Sequence, residues 1–305
     1  MNELFDKLIL RIVFTLFICL VLVLYKYAHI ILYPSSKRQL FRRFYPSQNP
    51  SDTIHLFGRI IAVSIIFSEF YFYISDGIWL ALITFLIQAS LLFIMFLLSL
   101  YIIESVVLFN FEYNDEIIKR KNFSYAIIGL SHSIAIAFML KTIILISKHN
   151  LILMLIIWLF SMVILSFAVK TFSIISKLSF NKLLIQKNAA VAYSYAGFIL
   201  GWALIISSSI NSEIIKLEWY GVQVILKLIL SIIIFPIFKQ GLIYIFKVQS
   251  DNQNKGITES DKYNDLPDMG YGIYEGAIFL SSCLLTSIIT GKIYFGNFYP
   301  LFQSF

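Results

Sequence analysis

Arg59, Glu69, His132, Lys227 and Glu275 stand inside long apolar stretches of the sequence. Such residues bear most directly on chemistry. In a lipid environment an ionisable side chain costs at least about 2.5–3.5 kcal/mol at a helix centre, so each needs a partner or a task. His132 reads either as a neutral imidazole bonded to a neighbouring helix or as a member of a proton or ion path. Glu69 and Lys227 fall in the same outer half of their segments, where they can neutralise each other; alternatively Lys227 reaches the interface along its own stem. Arg59 is placed to reach lipid phosphates on the inner side. Glu275 lies in the first two turns of its segment, where a carboxylate suits the helix dipole, or it faces a cation path. Glu104 and Lys141 are expected near the interfaces, in solvent.

Small and hydroxyl residues accompany these groups at helical spacing. Ala190, Ser194, Gly197, Gly201 and Ser208 share one face of the sixth segment. Glu275, Ser282, Thr286 and Thr290 share one of the eighth, with Gly272 and Gly276 beside them. Tyr125, Gly129 and His132 align in the fourth, and His55, Arg59, Ala62, Glu69 and Tyr73 in the second. Small residues let helix backbones approach closely, and packing drives helix association in lipid. Close packing is therefore the plainer reading of these stripes, and a polar pathway is the functional one. Gly129, Gly197, Gly201, Gly272 and Gly276 are assigned to packing. The polar-pathway set is Arg59, Glu69, His132, Ser194, Ser208, Glu275, Ser282 and Thr286.

The elements that must position these residues follow from composition. The 305-residue chain is 59% hydrophobic and 13% charged, with a mean hydropathy of +0.83. Soluble domains are about 45–50% apolar and about 25% charged. A membrane-spanning helix needs about 20 apolar residues. Eight such segments are read at Leu8–Tyr33, Ile54–Ile74, Ile78–Ile103, Phe123–Ile146, Leu151–Ile175, Ala189–Ile210, Trp219–Phe246 and Gly270–Gly291. Backbone groups in lipid must be satisfied within the segment, so these are helices, and the fold class is an all-α polytopic membrane protein. The connections are too short for a soluble catalytic or nucleic-acid-binding domain. Leu8–Tyr33 is too long for the core of a cleaved signal peptide.

Loop charge sets the expected orientation. Long connections follow the odd segments and tight turns follow the even ones. The long connections hold fifteen Lys and Arg, among them Lys37, Arg42, Lys119, Arg120, Lys121, Lys182 and Lys187; the opposite side holds Lys7, Lys148, Lys216 and Lys292. The positive-inside rule then puts the long loops in the cytoplasm and both termini outside, in the periplasm of a bacterial inner membrane. The net charge of +7 belongs to this asymmetry and to anionic lipid, with no sign of nucleic-acid binding.

The pattern repeats. Lys121-Asn122-Phe123-Ser124-Tyr125-Ala126, Lys187-Asn188-Ala189-Ala190-Val191-Ala192 and Asp268-Met269-Gly270-Tyr271-Gly272 superpose as loop-to-helix junctions, and Asn49-Pro50-Ser51-Asp52 is a fainter version. Asn122, Asn188 and Asp268 therefore mark repeat boundaries. Each unit holds two crossings, so all units point the same way: four parallel two-helix repeats in a single membrane domain. Residues 1–77 form a divergent first hairpin and 78–305 three further ones. The odd segments are Leu, Ile and Phe all round; the even segments are expected to pack in the middle, with the odd ones facing lipid.

Enzyme signatures are missing: there is no HExxH, GxSxG, Walker A or Rossmann glycine pattern. Cys19 and Cys283 sit in apolar runs and make no disulfide framework. Of His29, His55, His132 and His149, His132 alone is central, which leaves no ligand pair for haem. The chain is read as a non-enzyme without metal or cofactor.

Lys-Asn-Ala-Ala-Val-Ala (187–192), Gly197, Gly201 and the Ser207–Ser209 run resemble the YjfL-like family of uncharacterised inner-membrane proteins, as does the Gly270–Gly276 stretch. Lys121-Asn122 to His132 is a further match. The resemblance covers about residues 78–293, and the first hairpin by architecture. It implies four-helix units of two hairpins, doubled in this chain, and association with envelope-stress or channel-like roles. The leading functional expectation is small-ion passage between the even helices. The competing one is a scaffold or sensor that recruits a soluble partner through the polar insertion 249–267. The lipid bilayer is the expected surrounding, and homo-oligomers are compatible with the sequence.

Overall fold

The computed structural model describes residues 2–37, 46–68, 77–148, 150–176, 178–214, 216–246 and 267–295. Eight long helices fill most of it: α1 (Asn2–Leu32), α2 (Pro50–Phe67), α3 (Ile78–Val107), α4 (Phe123–Ser147), α5 (Leu151–Ile175), α6 (Ala189–Ile210), α7 (Leu217–Phe246) and α8 (Met269–Gly291). All eight are long and apolar enough to cross a membrane. The segments inferred from hydropathy coincide with them to within a turn or two. α2 starts one turn earlier than expected because Asn49 and Pro50 set its first turn: the Asn49 carboxamide accepts the Asp52 N–H, and proline needs no donor at that position.

Asparagine caps recur at helix starts that face the long loops. Asn122 accepts from the N–H groups of Ser124 and Tyr125, and Asn188 from Ala190. Lys121 and Lys187, each just before its asparagine, hold φ of 51° and 57°. This left-handed step reverses the chain so that the asparagine can face the helix start. Asp268 occupies the same position in α8, but its carboxylate makes no capping bond, so the expected equivalence of the three junctions holds in position only.

The even helices pack side by side in the order α2, α4, α6, α8, all parallel. Gly58 of α2 lies against Leu130 of α4, and His132 of α4 bonds Tyr195 of α6. Along α6 and α8, Ala190 meets Gly272, Gly197 meets Gly276, Gly201 meets Cys283, and Ser208 meets Gly291. At Gly197–Gly276 and Ala190–Gly272 the approach is backbone to backbone; a Cβ on any of these glycines would run into a main-chain atom. The odd helices line the flanks. In α4 and α6, 72% of the apolar stretch is buried, against 17% in α1 and 33% in α3 and α7. α8, at the end of the row, is 44% buried, the same as α5. Ser194, Gly201, Ser282 and Thr286 are buried, so the small-residue faces turn inward.

Candidate functional site

The long-loop ends of the even helices are tied by a stepwise series of hydrogen bonds. The Asn49 carboxamide donates to the carbonyl of Ile117 (2.9 Å), just before the next junction. Asn122 does the same to Leu184 (3.0 Å), and Asn188 to Pro267 (3.0 Å). In parallel, Lys121 Nζ reaches back to the Gln48 carbonyl (2.8 Å) and Lys187 Nζ to that of Arg120 (2.6 Å). Each junction asparagine thus serves its own helix with its oxygen and the next repeat with its nitrogen, which Asp268 does not. Asn122 also donates to Glu116 (2.6 Å), which is buried and paired with Arg120 (2.6 Å).

One to three turns inside this ladder lies a buried cluster of ionisable groups. Arg59 is ten residues past its cap, about 15 Å along the axis and near the middle of an apolar layer of about 30 Å. Its side chain is 0% exposed. It does not reach the interface, in contrast to the expectation that it extends to lipid phosphates; a guanidinium is held more firmly by a carboxylate in low dielectric than by distant headgroups. Its partner is Glu104 of α3, through Nη2 and Oε1. Glu104 is 13% exposed, so its expected solvated position is also replaced by a buried pair.

The two N–H bonds of the same Nη2 are shared with the Tyr33 hydroxyl (2.6 Å) and His55 Nε2 (2.9 Å) as further acceptors beside Glu104. Tyr33 in turn donates its O–H to Glu104 Oε2. Arginine can only donate, so His55 Nε2 accepts and the imidazole carries its proton on Nδ1. That Nδ1, Arg59 Nε and Nη1, and His29 Nε2 have no hydrogen-bond partner among the described residues. His29 of α1 stands 5.9 Å from His55, ring to ring, and 3.3 Å from the Tyr25 hydroxyl. Tyr113 packs on Tyr33 at 4.4 Å and donates to Asp52. Burial, then the Asp52 carboxylate, pushes the Tyr113 hydroxyl well above the ordinary tyrosine range, so it remains a donor.

The remaining expected site residues fall in other places. Glu69 lies outside the described residues, as does 249–266 of the polar insertion. Lys227 is buried and donates to Ser212 (2.7 Å) and the Gly291 carbonyl (2.9 Å). His132 Nε2 pairs with Tyr195 (2.9 Å) between α4 and α6. Glu275 does not cap α8: its Oε2 accepts from Ser194 of α6 and from Ser176 after α5 (2.9 Å). Ser208 and Thr286 bond carbonyls of their own helices. Ser282 is buried with an unpartnered hydroxyl. Gly129 receives the His55 ring. Hydrogen bonds thus join Ser194 to Glu275, while Arg59 and His132 belong to separate clusters.

Sequence reasoning missed the convergence of Tyr25, His29, Tyr33 and Glu104 on Arg59. A usable signal was present: a charge of each sign, Arg59 and Glu104, in segments whose long-loop ends share one side of the membrane.

The family model described as Domain of Unknown Function (DUF350) matches residues 3–144 and again 146–289. The boundary falls in the last turn of α4, so each match holds two hairpins, and the first hairpin is included. No curated protein and no solved structure matches the chain.

Proposed function

We propose a function for a chain that belongs to the DUF350 family, in two tandem copies: it is a channel- or transporter-like protein of a bacterial inner membrane that moves a small ion between the even helices, entering beside α2 where α1 and α3 flank it. Both termini face the periplasm in this reading, and no reaction is catalysed. The observation that carries it is the Arg59–Glu104 pair with His55, Tyr33 and His29. A buried ion pair is no better for stability than well-packed apolar residues. Ionisable groups kept inside a membrane protein characteristically mark ion paths and proton relays. The ion that fits is a proton. Backbone contact between α6 and α8 leaves no bore there, and a relay of imidazole, phenol and carboxylate needs none.

The test is proton flux into liposomes that hold the full chain and a trapped pH dye, driven by a potassium diffusion potential. Flux above protein-free vesicles is expected, and Glu104→Gln should return it to the protein-free level. Wild-type vesicles that remain tight to protons, sodium and potassium would remove the transport reading.

A second reading, a scaffold that recruits a soluble partner through its loops, is favoured by one observation. The even helices interlock at Gly197–Gly276, and the ladder fixes their loop ends as a rigid platform. Tight vesicles together with a soluble protein retained through 249–267 would select it.

A further inference from the structure

On the long-loop face of the first DUF350 copy, a cavity of about 520 Å³ opens between the end of α1, the end of α3 and the turn that follows. Its size is that of a small-molecule pocket, about 300–1,000 Å³. The rings of Tyr33, Tyr113 and Tyr125 are buried at its base, and Tyr101 and Phe109 stand 64% and 67% exposed at its rim. Among the described residues its charged lining is Glu104 and Glu112, with no lysine or arginine. In a chain of net charge +7 whose long loops are basic, an acidic aromatic cavity on that face runs against the background.

The rings here already serve as cation acceptors. The Arg59 guanidinium sits 5.0 Å from the centre of the Tyr33 ring, and the Lys170 ammonium 5.8 Å from that of Phe109. Aromatic faces attract ammonium and guanidinium groups through their quadrupole, most strongly when water is excluded. Arg59 and Tyr33 occupy both oxygens of Glu104, so the carboxylate left to face a cation in the cavity is that of exposed Glu112, whose nearby counter-charge is the solvent-exposed Lys119. A bare divalent ion would need about six to eight oxygen ligands, a coordination this mostly aromatic wall does not offer.

We propose that this cavity binds a substituted ammonium ion, with its alkyl groups against the tyrosine and phenylalanine rings and its charge facing Glu112. The same group is carried by free organic cations and by ethanolamine lipid headgroups. The cavity shares Tyr33 and Glu104 with the proposed proton path, but the residues assigned to the cation, Glu112, Tyr101 and Phe109, lie outside that path, so binding does not require flux.

Choline is the probe, and 3,3-dimethyl-1-butanol is its uncharged isostere. Calorimetric titration of the full chain in phosphatidylglycerol nanodiscs should give saturable choline binding and none of the isostere. Tyr101→Ala and Glu112→Gln change exposed side chains, and each should weaken binding about tenfold. Absence of saturable choline binding, equal binding of the isostere, or wild-type affinity in both variants would overturn the proposal. Repeating the titration in phosphatidylethanolamine nanodiscs assigns the source. Weakened choline binding there supports the site with a lipid headgroup as occupant, and unchanged binding supports it with a free cation.

Discussion

Arg59 of α2 and Glu104 of α3 form an ion pair inside the helical bundle, with the arginine fully enclosed and the carboxylate nearly so. Removing one partner leaves an uncompensated charge in low dielectric, which costs about 3–5 kcal/mol. Arg59→Met and Glu104→Gln should each lower the thermal midpoint of the purified protein strongly. The double variant Arg59→Met/Glu104→Met should recover most of the loss. Additive losses in this double-mutant cycle would mean that the two residues act independently.

Gly276 faces the Tyr193 carbonyl, and Gly197 faces the backbone of Gly276. Neither neighbour is the flexible end of a side chain, so a methyl group can be admitted only by separating α6 from α8. Gly276→Ala should cost about 1–3 kcal/mol, the range for overpacking a close-packed site. Gly270→Ala, six residues earlier with nothing within 4 Å, should be neutral within about 0.5 kcal/mol. Thermal unfolding in detergent compares the two directly.

Asn122 does three things at once: it caps α4, bonds Glu116 and bonds the Leu184 carbonyl. Asn122→Ala should cost about 2 kcal/mol or more, since a cap alone is worth about 0.5–2 kcal/mol. Asn122→Asp keeps the cap but loses both donors and faces Glu116, so it should fall below wild type as well. Asp268→Ala, at a junction that makes no capping bond, should cost less than either. Hydrogen exchange at the first turns of α4 and α8 would separate these effects.

Orientation can be read with a membrane-impermeant thiol reagent. Lys119 and Lys182 lie exposed on the long loops, and Lys148 lies exposed at the turn between α4 and α5. In intact cells Lys148→Cys should label from outside, while Lys119→Cys and Lys182→Cys should label only after lysis. The opposite pattern would invert the topology.

The spans were legible because apolar runs of this length permit only helices in lipid. The inner row was legible in Gly197, Gly201, Gly272 and Gly276, because helix approach in a membrane is limited by side-chain size. The junction asparagines were visible as repeats, yet their second bond, from Nδ2 to the next repeat, is a tertiary contact that spacing does not encode. The Arg59 cluster was legible only as two opposite charges, Arg59 and Glu104, on one side of the membrane; its other members were not, for the same reason. Tyr33, His29 and Glu104 sit near the ends of odd spans, where tyrosine, histidine and glutamate are ordinary interfacial residues. Only the packing of α1 and α3 on α2 turns them toward one guanidinium.

The even helices lie directly side by side and parallel, and every other contact of the bundle depends on it. Ser208 and Gly291 occupy the same end of α6 and α8, and a Cβ on Gly291 would stand 3.3 Å from that of Ser208. Disulfides bridge Cβ atoms about 3.5–4.5 Å apart. The double variant Ser208→Cys/Gly291→Cys should form an intramolecular disulfide in membranes under mild oxidation, seen as a mobility shift that reductant reverses. No disulfide in the double variant, with both thiols still reactive, would contradict the arrangement.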